Sequence, residues 1–539
     1  MKFYVGRVRA LQSPLSFADC AAVGRPKSVT APALVRAAWR PSFGVGTIRL
    51  SQVWAAIGIV LPVVVISATP LFAIDLTYHL RAGDIMFDTH AVLRTDVFSS
   101  AAYGSPWLNQ QWLAQIVLAT AFRLGGWFGL VVLRALLVGL ALTFVFLACR
   151  AAGAATKRAA WLTLASGVLL PSGLMVLRPQ LLAILCFAVT AWLVARRRTH
   201  PTGVWIVIPV TLLWANLHGS FFMAPLLLGL AWVEDRWVRG QRAPTLLLAG
   251  LGSLLATTVN PYGLRVWSYA ADLATDPVIR RTITEWQPPT IGTYTGVAFF
   301  LSIVVVAALL IARVRRPVPW GSLLPLGVFL AIALPAVRGV YWWAIVAPIV
   351  LAGVLVDGPA PTERRDPSGP LNAAIVGVLA LTIIVVLMPW TRYTGRAMPD
   401  DGRLAYAPVG ITRELHGILR PGEFVFNAQP WGSWLEFEFP RNLVLVDSLV
   451  EVVPPSVWWK YYAVSAGVEG WQATLDSWQI DVAVLARDQQ GALIPRMRAD
   501  PGWWLVYEDA EGLIFRRVPT SVGAEAVELA GGALVRSSR

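Results

Sequence analysis

Between positions 53 and 390 the chain alternates long apolar runs with short polar turns, and its basic clusters fall at every second turn. A helical run of ~20 apolar residues crosses the hydrocarbon of a bilayer, because lipid offers no partner for unpaired backbone N–H and C=O groups. The runs lie at 53–72, 127–149, 161–177, 180–195, 204–215, 221–233, 245–258, 296–312, 320–337, 341–356 and 371–390. If each crosses, all the basic clusters share one side: Arg150 with Lys157 and Arg158, Arg196 to Arg198, Arg236 with Arg239 and Arg242, Arg313 with Arg315 and Arg316, and Arg364 with Arg365. Basic loops stay in the cytoplasm. About eleven crossings are therefore expected, with the N-terminus inside and residues beyond 390 outside. Residues 112–124 are apolar but too short to cross, and are expected to lie in the interface or dip in and return.

Composition supports this reading. Hydrophobic residues make up 56% of the chain and charged residues 14%, against about a quarter charged in an ordinary soluble domain. The net charge of +14 sits in the short loops, so it reports topology and not a nucleic-acid partner. Cys20, Cys149 and Cys186 lie in the leader or in apolar runs, where they suggest neither a disulfide framework nor a cysteine metal site.

Three regions follow. Residues 1–50 are a basic leader, read as a disordered cytoplasmic tail or as a start codon placed too early. Residues 51–390 form a membrane domain with outer loops at 73–111 and 260–295. Residues 391–539 hold most of the acids and short β-rich runs at 423–427, 443–447 and 482–485. The runs 503–507 and 513–517 flank a turn and read as a hairpin, while 456–466 and 469–478 look helical, so this part is expected to be an extracytoplasmic α/β domain.

Ionisable groups beside membrane spans are costly and often mark function. Those on the predicted outer side are Asp75 and His79, Arg178, Asn216 and His218, Asn260, Glu285 and Arg338. In a helix Asp75 and His79, four apart, share one face and suit acid–base chemistry. Arg178 and Arg338 run against the positive-inside trend, and guanidinium groups bind phosphate in bidentate fashion, although interfacial arginines also snorkel to headgroups. Asp75 could instead cap its helix, and His218 before Gly219 could be a satisfied structural histidine. Glu285 could be a solvated partner of Arg280 and Arg281, but Trp286 beside it suits the face of a sugar.

These pieces carry a resemblance: Asp75-Leu76-Thr77-Tyr78-His79, Thr95-Asp96-Val97-Phe98, Arg178-Pro179-Gln180, Trp214-Ala215-Asn216-Leu217-His218-Gly219, Asn260-Pro261-Tyr262-Gly263, Glu285-Trp286 and Trp431-Gly432-Ser433-Trp434. In them the chain resembles the GT-C class of membrane glycosyltransferases, within a bacterial group distantly similar to protein mannosyltransferases and aminoarabinose transferases. The resemblance implies a GT-C-like α-helical polytopic protein with a C-terminal extracytoplasmic α/β domain. It would act at the outer face of the bacterial cytoplasmic membrane, moving a sugar from a polyprenyl-phosphate donor to an envelope glycan, lipid or protein. By the same analogy Asp75 is the general base, assisted by His79 or Glu285. Arg178, Asn216, His218, Trp286 and Arg338 would bind substrate. Better-understood members have a second acid beside the first, where this chain has Leu76, so His79 would have to help. A divalent cation is optional in this scheme. A lipid-linked sugar flippase and a non-catalytic envelope scaffold are the alternatives. Against the flippase, the spans show no internal repeat and the polar groups gather at one membrane face instead of the midplane.

Overall fold

The computed structural model describes residues 48–312, 320–355 and 369–518. The leader read over 1–50 lies outside them apart from its last three positions, as do the basic clusters at 313–316 and 364–365.

The helices, in chain order, are α1 (Leu50–Ser67), α2 (Ala73–Thr89), α3 (Trp112–Ala151), α4 (Thr156–Leu169), α5 (Pro171–Met175), α6 (Pro179–Ala195), α7 (Val207–Leu217), α8 (Met223–Val233), α9 (Pro244–Ala256) and α10 (Arg265–Thr275). After these come α11 (Pro277–Thr282), α12 (Tyr294–Ala312), α13 (Trp320–Ala333), α14 (Val337–Val354) and α15 (Gly369–Leu387). Among the described residues five helices are long and apolar enough to cross a membrane: α1, α3, α12, α14, and α15 with its 3-10 extension to Arg392. Several of the expected crossings, α6, α7, α9 and α13 among them, are shorter apolar helices.

Residues 112–124 and 127–149, read separately from sequence, are the two arms of α3, broken at Gly125 (φ −148°) and Gly126 (φ 56°, ψ −144°). A Cβ on Gly126 would stand 2.4 Å from the carbonyl carbon of Thr394, so both the left-handed backbone and the close approach require glycine. The break lets the chain after α15 dock against α3, where Phe128 N–H donates to the Tyr393 carbonyl at 3.1 Å.

Arg134, fully buried in the second arm of α3, is a residue the sequence reading passed over. Its guanidinium donates to the carbonyls of Thr69 (2.8 Å), Pro70 (2.9 Å) and Met175 (2.9 Å). One side chain thus ties the end of α1 and the end of α5 to α3. The chain leaving the first carries Asp75, and the chain leaving the second carries Arg178.

The part beyond residue 390 forms a five-stranded sheet. Its strands are β3 (Phe424–Asn427), β4 (Leu443–Val444), β5 (Val482–Ala486), β6 (Trp503–Glu508) and β7 (Gly512–Arg517), in the order β4-β3-β5-β7-β6. β3 runs parallel to β4 and β5, and β7 antiparallel to β5 and β6. β5 is buried along its whole length, as a run of Val, Ala and Leu at the centre of a covered sheet should be. The helices here are α16 (Val409–Ile418), α17 (Gln429–Glu438), α18 (Pro455–Ser465), α19 (Trp471–Ser477), α20 (Arg487–Gln490) and α21 (Ile494–Ala499).

Several sets of contacts stitch this sheet to the preceding helices. β1 (Leu71–Phe72) pairs in parallel with β2 (Leu404–Ala405), and Ser99 in the first outer loop bridges to Val444 at the sheet edge. Arg81 of α2 donates to the carbonyls of Glu436 (2.7 Å) and Pro440 (2.9 Å). Trp127 beside the α3 break packs on Trp434 and Phe437 of α17, with ring centroids 6.0 Å apart in both cases. Trp434 is therefore core, and Trp458 is equally buried; Trp459 is exposed.

Candidate active site

At the end of the helices that carries Asp75, Arg178 and Arg338 lies a cavity of about 400 Å³. Its walls come from the first turn of α2, the α5–α6 junction, the segment between α10 and α12, the start of α14, and the sheet region through Gln429, Ser448, Glu451 and Tyr462.

Asp75 sits in the first turn of α2, where the helix N-terminus favours a negative charge. It makes no capping bond; the N-cap residue is Phe72. The turn is held in place by the β1–β2 pairing just before it, and by Ser448 Oγ donating to the Ile74 carbonyl at 2.5 Å. Arg178 precedes Pro179 in extended backbone (φ −151°) and reaches back across the cavity. Its Nη1 donates to Asp75 Oδ2 at 3.0 Å, and its Nη2 pairs with Glu285 Oε1. Glu285, in a 3-10 turn, takes Arg338 Nε on its other oxygen at 3.0 Å. The result is a chain of alternating charge, Asp75–Arg178–Glu285–Arg338, where the sequence had suggested Arg280 and Arg281 as partners of Glu285.

Burial works against the charge on Glu285, but the guanidinium groups of Arg178 and Arg338 outweigh it and hold the carboxyl down at about 2. Burial likewise opposes the charge on Arg178, which Glu285 and Asp75 keep firmly protonated. Arg338 lies 4.8 Å above the Trp286 ring. Only its Nε is engaged among the described residues, so its two terminal nitrogens remain available to a ligand.

The two histidines are neutral. Burial, and then Arg178 nearby, pushes His79 down to about 3. Burial, then Arg338 and Arg178, does the same to His218. His218 Nδ1 accepts from Ser220 N–H at 3.1 Å, which puts the remaining proton on Nε2. His79 faces Gln115 at 3.4 Å, and among the described residues it makes no bond to Asp75; the group that orients Asp75 is Arg178.

Asn216 is placed elsewhere. It is not among the residues lining the cavity, and its amide is used up: Oδ1 accepts from Trp112 Nε1 (2.9 Å), while Nδ2 donates to the carbonyls of Leu212 and Val259 (both 2.9 Å). It fastens the start of α3 to α7 and to the turn after α9.

Against the polar cavity lies an apolar one of about 220 Å³, running between Phe222, Met223, Ile332, Ala336 and Trp342. The two share seven lining residues, among them His218, Tyr269, Leu273, Trp286 and Arg338. Arg338 therefore stands at the seam between an oily slot and a charged chamber. The opposite helix ends, Ala151, Ala152, Arg197, Arg198, Gly353 and Val354, surround a separate pocket. Among the described residues no group of three or more His, Cys, Asp or Glu side chains is placed to hold a metal ion.

Sequence reasoning missed Tyr269, Ser448 and Glu451 as cavity residues. They come from an outer amphipathic helix and from a loop of the sheet region, and no local pattern marks them.

No family model matches the sequence, and no curated protein matches it. The archaeal oligosaccharyltransferase AglB from Archaeoglobus fulgidus, solved with an inhibitory peptide and a dolichol-phosphate, superposes with a TM-score of 0.52 at 12% identity, covering 88% of this chain and 76% of its own. ArnT from Cupriavidus metallidurans in the apo state reaches 0.49 at 15% identity, covering 87% of this chain and 97% of its own. At such identities the likeness speaks for the fold alone: the chain shares the fold of AglB.

Proposed function

We propose that the protein is a membrane glycosyltransferase that takes a sugar from a polyprenyl-phosphate donor at the outer face of the bacterial cytoplasmic membrane and gives it to an envelope acceptor. The observation that carries this reading is the position of Arg338. Its free guanidinium nitrogens stand where the apolar slot meets the chamber that holds Asp75. A prenyl chain suits the slot, a phosphate suits Arg338 with Arg178 behind it, and the sugar then projects past Trp286 into the chamber. The solved neighbour AglB carries a dolichol-phosphate, a ligand of the same chemical kind.

In the reaction the acceptor oxygen attacks the anomeric carbon and the bond from that carbon to the phosphate oxygen breaks. The electron pair leaves on the polyprenyl phosphate, where Arg338 and Arg178 stabilise the growing charge. The acceptor proton passes to Asp75. Arg178 occupies Oδ2, and Oδ1 makes no bond among the described residues. Glu285 balances both arginines while no phosphate is bound, and His218, neutral with its proton on Nε2, is suited to donate to a sugar or phosphate oxygen.

The test is transfer by the purified protein in lipid, from radiolabelled polyprenyl-phosphate sugars to an envelope extract, with Asp75→Asn alongside. Label that moves with wild type and falls at least about a hundredfold in the variant is expected. Transfer that survives would shift the base to Glu285 or His79. No transfer from any donor, with the lipid-linked sugar moved unchanged across the bilayer, would replace this reading with a flippase. Neither transfer nor movement would leave a scaffold.

A further inference from the structure

A second cavity adjoins the chamber, sharing Tyr269, Leu273, Ile279 and Glu451 with it, and Tyr269 and Leu273 with the apolar slot. It is a cavity of about 240 Å³ that includes Trp107, Asp272, Asp276 and Glu451 in its lining. Glu451 and Tyr269 line both this cavity and the main chamber, so they form the partition between them. Tyr269 O–H donates to Glu451 Oε1 at 3.0 Å. Unlike Asp75 and Glu285, Glu451 has no ion pair among the described residues; its side-chain partner is a phenol. It is a buried carboxylate between two cavities, with Arg338 near enough to favour its charge but not bonded to it.

We propose that Glu451 and Tyr269 form the acceptor site, and that the acceptor is the neutral, hydroxyl-rich end of a glycan entering through this second cavity. The proposal rests on the glycosyltransferase reading above. Charge selects the ligand class. The second cavity is lined by three acids, Asp272, Asp276 and Glu451, with no Lys or Arg, and so disfavours an anion. The chamber beyond holds Arg178 and Arg338, and so disfavours a cation. A neutral polyol passes both, and carboxylates and phenols are good partners for sugar hydroxyls. Glu451 and Asp75 both line the chamber; burial raises the Glu451 carboxyl, with Tyr269 and Arg338 acting against the rise and Asp75 adding to it. A hydroxyl held by Glu451 would therefore lie close to the base.

The test offers wild type, Glu451→Gln, Glu451→Ala and Tyr269→Phe the same labelled donors. The acceptors are the neutral and the anionic glycan fractions of an envelope extract, presented separately. Expected is label in the neutral fraction, an acceptor KM raised about tenfold or more by Glu451→Ala and less by Glu451→Gln and Tyr269→Phe, with donor KM unchanged. Label confined to the anionic fraction or to protein would overturn the proposal. So would an unchanged acceptor KM in Glu451→Ala, or a loss of donor and acceptor affinity together with a lowered unfolding temperature. In all of these wild type still transfers, so the enzyme assignment survives; a wild type inert with every donor removes both.

Discussion

Replacing Arg178 with Met removes the cation that Asp75 and Glu285 share. The Arg178 side chain is 12% exposed and its partners 25% and 20%, so solvent screens the pairs only in part. Glu285 would keep Arg338 at 3.0 Å, but Asp75 has no second ion pair among the described residues. Removing one partner of a buried ion pair costs about 3–5 kcal/mol. The residual exposure and the surviving Arg338 bring the expectation to about 2–3 kcal/mol. Equilibrium unfolding in mixed micelles, followed by tryptophan fluorescence, gives the number for Arg178→Met, for Asp75→Asn and for the double variant. If Arg178 acts through Asp75, the double variant is destabilised by at least ~1 kcal/mol less than the sum of the singles. Additivity within ~0.5 kcal/mol would refute the coupling and leave Arg178 an interfacial arginine near a cavity.

Three more outcomes are expected. His79 and His218 sit at about 3 when folded and return to 6.5 on unfolding, so the unfolded chain binds more protons as pH falls. Stability is then unaffected above about pH 6.5 and declines below it, and His79→Asn should flatten the decline in a series of thermal unfolding curves; coincident curves near pH 5 would contradict the assignment. Arg134→Met removes the shared donor of three part-buried carbonyls, which at ~1 kcal/mol each should lower the unfolding free energy by about 2–3 kcal/mol, and a loss under ~1 kcal/mol would show that those carbonyls find other partners. Burial, and then Asp447 beside it, drives the Glu436 carboxyl well up, while burial, and then Asp96, raises Asp447. Because the folded state holds the proton, the contribution of this pair is complete below the ordinary carboxylate values of 3.8 and 4.5 and is lost as pH rises from there through the raised values, that of Asp447 being about 7. Glu436→Gln should therefore lose less stability than wild type as pH rises above about 4, and an equal or greater loss would show that the pair is not protonated.

The repeated apolar runs and the one-sided basic clusters made the membrane class legible, because lipid permits few ways to bury a backbone. The break at Gly125–Gly126 falls between two runs that the sequence had already separated. The alternation of Val, Ala, Leu and aromatic residues marked the runs that became β3, β5, β6 and β7. Asp75, Arg178, Glu285 and Arg338 were each picked out by the cost of putting a charge beside an apolar span. Arg134 could have been found by the same rule, lying mid-span between Leu133 and Ala135, but no loop position drew attention to it.

The sequence by itself thus marked which segments are apolar and which charges were expensive. Only the tertiary structure decided which of those charges meet. It paired Asp75 with Arg178 across 103 positions and not with His79 four residues away, committed Asn216 to helix packing, and brought Glu451 from the sheet region to the chamber wall. The physical reason is the range of each effect. Hydropathy acts on a residue and its immediate neighbours, so a local pattern records it. Ion pairing acts over about 3 Å in space at any separation along the chain, and periodicity carries no trace of it.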